Sequence, residues 1–164
     1  MAPLIVLLTV FIITLILFRF TAKKNDLFSA GRIAMSAMLV FTAIGHFVYT
    51  EGMAMMLPDF VPYAKEMIYF TGGLEIAAAA GLLIPRLRRV TAWLLIIFFI
   101  QILPANIYAA IHQVDYQQGT LEGAGPEYLW FRVPLQLFFI LWVYFFILYP
   151  IRNQNKKSFS QIFP

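Results

Sequence analysis

The chain has 164 residues, of which 62% are hydrophobic and 12% charged, with a net charge of +4. A soluble domain of this size carries roughly twice that share of charged residues, so the composition describes one integral membrane domain, too short to hold a second. There is no cysteine, which excludes disulfides, thiol redox chemistry, Cys-ligated metal and thioester or thioether lipid anchors.

Met1 to Phe18 has no charged side chain and is long enough to cross a bilayer. Its basic residues, Arg19, Lys23 and Lys24, follow the apolar run, and no small-residue cleavage site comes after it. It therefore reads as an uncleaved helix rather than a secretory signal. Ile33 to Thr50 is the second span. Arg32, Ser36, Ala43, His46 and Thr50 fall on one helical face, the face expected to point inward. Glu51 to Glu66 is a loop punctuated by Pro58 and Pro62.

Met67 to Pro85 is the third span, and Glu75 sits near its middle. A charge at such a position is costly, roughly 2.5–3.5 kcal/mol on insertion scales for a comparable Asp, so it is expected to face a partner or a wet cavity. Gly73, Ala77 and Gly81 recur at every fourth residue, a spacing that lets a neighbouring helix approach closely. Val90 to Ile111 is the fourth span. Pro104 removes a backbone hydrogen bond and is expected to bend it, just before Asn106. His112 to Trp130 is a polar loop. Val133 to Ile151 is the fifth span, with Pro134 in its first turn, where proline is tolerated, and Gln136 one turn in. A basic tail runs from Arg152.

The loops alternate in sign. The first carries Arg19, Lys23, Lys24 and Arg32; the second is mainly acidic, with Glu51, Asp59 and Glu66. The third holds Arg86, Arg88 and Arg89; the fourth holds Asp115, Glu122 and Glu127; the tail holds Arg152, Lys156 and Lys157. By the positive-inside rule the N-terminus is outside and the C-terminus cytoplasmic. Tyr49, Tyr63, Tyr69, Tyr108, Tyr128 and Trp130 at the outer span ends, with Trp93 and Tyr149 at the inner ones, suit interfacial belts. The same charge pattern explains the net positive charge without nucleic acid as a partner. No nucleic-acid module, phosphate-binding loop or nucleophile–base arrangement is present.

This topology gathers scattered polar residues. Counting inward at the helical rise, Arg132 is at the outer rim, His46, Asn106 and Gln136 are roughly 6–8 Å deep, and Glu75 is roughly 12 Å deep. They come from four different spans, while the inner half of those spans is almost pure hydrocarbon. Each also has a structural reading. Glu75 would be a neutral or Arg132-paired carboxylate, His46 a hydrogen-bonder within the bundle, and Asn106 a partner for carbonyls freed by the kink. Gln136 would join helices, and Arg132 would anchor the interface. His46, His112 and Glu75 would nominally make a two-His-one-carboxylate set. However, His112 lies at a loop edge and no HxxH or HxxxH pair exists, so no metal site is assigned.

Read in order, Gly45-His46-Phe47, Leu74-Glu75-Ile76, Ile84-Pro85-Arg86, Arg89 with Ala92-Trp93, Pro104-Ala105-Asn106-Ile107-Tyr108 and Arg132 through Gln136 resemble the DoxX-like family of small bacterial membrane proteins. The resemblance covers about residues 29 to 149. It implies a four-helix membrane core (29–151) of a bacterial protein; Met1 to Phe20 lies outside it as an added N-terminal helix (1–20). Together with the hydropathy and loop charges this gives an all-α, integral membrane bundle of five transmembrane helices in the bacterial cytoplasmic membrane, with a basic cytoplasmic tail (152–164). The resemblance also implies membrane redox systems, including quinone-dependent ones, and an accessory role beside a membrane or soluble oxidoreductase subunit rather than a stand-alone enzyme. No catalytic residue is carried over from it.

Two expectations follow. The first is a pocket in the outer half that binds a quinone or lipid-like molecule through His46, Glu75, Asn106, Arg132 and Gln136. The second is a non-catalytic scaffold or small transporter whose polar cluster is purely structural.

Overall fold

The structure, a computed structural model, describes residues 2–21 and 26–151; the basic tail expected at 152–164 lies outside the described residues. Within them the regular secondary structure is helical, joined by loops, with one isolated β-bridge between Asp115 and Thr120. The helices are α1 (Ala2–Phe20), α2 (Leu27–Val48), α3 (Thr50–Ala54), α4 (Ala64–Leu83), α5 (Arg88–Gln101), α6 (Leu103–Ile111) and α7 (Leu129–Val143). A 3-10 turn at Pro126–Tyr128 leads into α7, and a π-helical turn at Tyr144–Leu148 continues it. Five helical segments are long and apolar enough to cross a membrane: Ala2–Phe20, Leu27–Val48, Ala64–Leu83, Arg88–Ile111 and Pro126–Ile151.

Local chemistry sets the helix ends. α2 starts ahead of the apolar run at Ile33 because Asp26 caps it. The Asp26 carboxylate accepts the Ser29 N–H at 3.0 Å and also engages the Ser29 hydroxyl, and the Arg32 guanidinium lies 3.9 Å from it. Such a cap satisfies amides that have no partner in the first turn. The segment expected as a loop between the second and third spans contains α3. In the fourth span the expected bend is a break: α5 ends at Gln101 and α6 begins at Leu103, just ahead of Pro104, which has no N–H to offer the Ile100 carbonyl.

α2 is the central helix, packed on α1 along one side and on α4 along another. Leu7, Met35, Leu39, Leu82, Leu95 and Val143 are at most 2% exposed and form the centre of the core. α1 is tied in as well, with the Phe11 ring set edge-on to Trp142 at 5.0 Å. Two hydrogen bonds lock this half of the bundle: Ser36 Oγ donates to the Ala79 carbonyl at 3.0 Å, and Trp142 Nε1 donates to the Gly31 carbonyl at 3.0 Å. Arg88 donates to the Leu82 and Leu83 carbonyls at 3.3 and 3.1 Å, capping the end of α4.

The face of α4 that packs inward differs from the expected one. Ile68, Gly72, Glu75, Ala79 and Leu82 are buried, whereas Gly73 and Ala77 are exposed. Of the expected small residues only Gly81 packs, against the Thr91 side chain. Gly72 and Ala79 supply the close approach to α2 instead. Beyond Met67 the polar side chains of α4 are Tyr69, Thr71 and Glu75 among apolar residues on every face, so its hydrophobic pattern alone does not fix its rotation.

Candidate functional site

At the arginine-bearing end of the bundle α2, α4, α5 and the π turn close on one another. At the opposite end α6 packs against α7 and the Pro126–Tyr128 turn rather than against α2 or α4. The space between these two helix pairs is a cavity of about 750 Å³. Met38, Phe99 and Phe139 form its apolar base, and Met53, Met56, Tyr116 and Tyr128 cover its end.

Long-range contacts hold that cover down. Tyr116 stacks edge-on to Tyr49 at 6.0 Å, and its backbone lies directly against Gly52, where any Cβ would collide with the Tyr116 carbonyl. Burial, reinforced by the neighbouring Tyr128, pushes the Tyr116 phenol up from its ordinary pKa, so it stays a neutral hydroxyl at the cavity.

His46, Glu75, Asn106, Arg132 and Gln136 all line this cavity. His46 Nε2 lies 3.6 Å from Glu75 Oε2. Its other ring nitrogen, Nδ1, lies 3.2 Å from the Ile68 carbonyl and 3.0 Å from Thr71 Oγ1, while Thr71 Oγ1 donates to the same carbonyl at 2.9 Å. The Glu75 side chain is 6% exposed and its Oε2 has no hydrogen-bond partner. Thr42 and Arg132 are the other polar groups near that carboxylate. Arg132 makes no ion pair within 4.0 Å among the described residues, and its buried Nε is unpartnered. The direct Glu75–Arg132 pair considered from the sequence is therefore not formed; the basic group within 4.0 Å of Glu75 is His46.

The two amides serve the helix break. Asn106 Nδ2 donates to the Ile102 carbonyl at 2.9 Å, and Gln136 Nε2 reaches across from α7 to the Phe99 carbonyl. Their side-chain oxygens have no protein partner among the described residues. His112 stands apart: it is exposed, stacked on Tyr108 at 3.9 Å. Among the described residues no group of three His, Cys, Asp or Glu side chains is arranged to hold a metal ion.

Residues 35–147 match the family described as a domain of unknown function (DUF8561). The chain belongs to this family. No curated protein and no solved structure matches it. The DUF8561 stretch contains all five of these cavity residues and begins within α2, leaving α1 outside. Within it, sequence reasoning passed over Thr42 and Thr71. Each lies four residues before a chosen residue, Thr42 before His46 and Thr71 before Glu75. That spacing puts them on the same helix faces, which is the signal that would have found them.

Proposed function

We propose that this DUF8561 chain is a multi-pass protein of the bacterial cytoplasmic membrane, with its N-terminus outside and its C-terminus cytoplasmic. Its cavity, near the outer face, binds a quinone or lipid-like small molecule. The chain then acts as an accessory subunit of a membrane oxidoreductase system, as the DoxX-like resemblance and its four-helix core suggest, with the bilayer and an oxidoreductase subunit as partners. The carrying observation is the convergence of His46, Glu75, Asn106, Arg132 and Gln136 on one cavity whose base is apolar. A concave, mainly apolar site with a few convergent polar groups is the general form of a small-molecule pocket. Polar groups facing a void must find water, each other or a ligand.

The test is the thermal midpoint of the purified chain with and without a short-tailed quinone, since a native-state ligand raises it. His46→Ala and Glu75→Ala should abolish the shift while leaving the protein folded. Mass spectrometry of molecules that co-purify from native membrane names the occupant. Orientation is tested separately: a cysteine at Thr120 should react with an impermeant reagent in intact cells, and one at Asn155 should not. The chain has no native thiol to interfere.

A second reading, a scaffold or small transporter with a structural polar cluster, is favoured by one observation. The amide donors of Asn106 and Gln136 are already used by carbonyls at the α5–α6 break. Absence of any ligand-induced shift would leave this reading standing.

A further inference from the structure

The charges lining the cavity do not balance, and the imbalance specifies the ligand. The Ile68 carbonyl only accepts, so His46 Nδ1, 3.2 Å away, carries a proton. Thr71 gives its own proton to that carbonyl and accepts from Nδ1. His46 Nε2 is thus the free face of the ring, turned to Glu75 Oε2 at 3.6 Å. Two bare lone pairs facing each other in a buried setting repel, and a buried unpaired carboxylate is costly. One proton held by the pair removes both problems. On the carboxyl group it leaves two neutral side chains; on the imidazole it gives an internal ion pair. The net charge of the pair is zero either way.

Arg132 is then the uncompensated charge. Among the described lining residues Glu75 is the only acid, and no carboxylate lies within 4.0 Å of the guanidinium. The buried Arg132 Nε has no acceptor. A guanidinium is permanently charged and matches the planar geometry of carboxylate and phosphate oxygens.

The cover at the cavity's end leaves a sideways route. Phe70 and Leu74 of α4 and Gln101 of α5 line the cavity and are themselves exposed, so the cavity meets the surface of the bundle along these residues, where an apolar tail can leave. We infer that the pocket takes an amphiphile bearing a single negative charge, a carboxylate or phosphate head that meets Arg132, with its tail leaving past Phe70, Leu74 and Gln101. This rests on the pocket reading above and narrows it from neutral or charged ligands to monoanionic ones.

The test compares oleic acid, oleyl alcohol, an oleoyl lysophosphatidylglycerol and a short-tailed quinone on the full chain in a neutral maltoside, at mildly alkaline pH. Native mass spectrometry and thermal midpoint are the readouts. One or both acidic amphiphiles should bind saturably and at least about tenfold tighter than the alcohol, the worth of one added charged hydrogen bond. Which of the two does so separates carboxylate from phosphate recognition. Arg132→Gln should erase the preference while alcohol binding persists, and Arg132→Lys should keep part of it. Equal binding of acids and alcohol to the unsubstituted chain overturns the inference and leaves the pocket in place, as does Arg132→Gln retaining the preference. Binding of none of the four compounds removes the pocket reading and this inference together. Should Arg132→Gln fail to fold, the acid–alcohol comparison on the unsubstituted chain decides alone.

Discussion

His46 Nε2 stands 3.6 Å from Glu75 Oε2, and this contact joins α2 to α4 at the polar end of the cavity. Arg132, on α7, lies near the carboxylate without a direct bond. The two relationships differ in their expected coupling. A double-mutant cycle of Glu75→Gln with His46→Gln should give an interaction energy of about 1 kcal/mol, within the range for contacting residues. The cycle of Glu75→Gln with Arg132→Gln should give a smaller one. Reversible unfolding in detergent measures both. A larger coupling to Arg132 would mean that the carboxylate turns to α7 and that His46 is merely a neighbour.

Gln136 joins α7 to α5 where α5 stops. The Phe99 carbonyl receives no backbone N–H at the break, so the Gln136 amide is its donor. Gln136→Leu leaves a buried carbonyl unsatisfied and should cost about 1–3 kcal/mol. Asn106→Leu should cost less, under about 1 kcal/mol, because the Ile102 carbonyl still accepts the Asn106 backbone N–H at 3.2 Å. The order of the two unfolding midpoints is the readout. If Asn106 is the costlier substitution, the break depends on its own side chain rather than on α7.

The five apolar segments were legible because hydropathy is a local property, and the grouping of His46, Glu75, Asn106 and Gln136 toward one end of the bundle followed from counting along each helix. Depth fixes position along an axis but not rotation about it. That is why the sequence could not say whether Glu75 would meet Arg132 or His46. α4 has small residues on adjacent faces, Gly72 with Ala79 and Gly73 with Ala77, and beyond Met67 only Tyr69, Thr71 and Glu75 as polar marks to choose between them. The cover over the cavity was illegible for another reason. It depends on Gly52 and Tyr116, far apart in sequence, and neither signals the other in advance.

Asp26 supplies a pH-dependent element at the opposite end of α2. Partial burial raises its pKa, but the hydrogen bonds from Ser29 and the charge of Arg32 outweigh it, and the net value falls below the ordinary 3.8. A carboxylate depressed on folding adds stability that is fully present above its unfolded value and is lost as pH falls through the folded one. The chain should therefore lose stability on acidification below about 3.8. Asp26→Ala should remove that part of the pH dependence and cost about 1 kcal/mol at neutral pH through loss of the cap. Unfolding midpoints across an acid series test it. An unchanged acid limb in Asp26→Ala would assign the loss to other carboxylates.

Gly72 and Gly73 are adjacent, yet substitution should affect them in opposite directions. A Cβ at Gly72 would sit 2.9 Å from His46 Cβ and 3.3 Å from Phe47 Cε2. Neither atom is the free end of a flexible chain, so α2 and α4 must separate to make room. Gly72→Ala should cost about 1–3 kcal/mol, as overpacking does, and should displace His46 from Glu75, weakening any ligand-induced rise in the thermal midpoint. A Cβ at Gly73 meets nothing within 4 Å. Gly73→Ala should be neutral, or stabilising by up to about 1 kcal/mol through its better helix propensity, with ligand response unchanged. Paired thermal and ligand-binding measurements on the two variants check both halves. If Gly73→Ala proves the damaging change, α4 is rotated so that Gly73 and Ala77 pack inward, and the placement of Glu75 beside His46 falls with it.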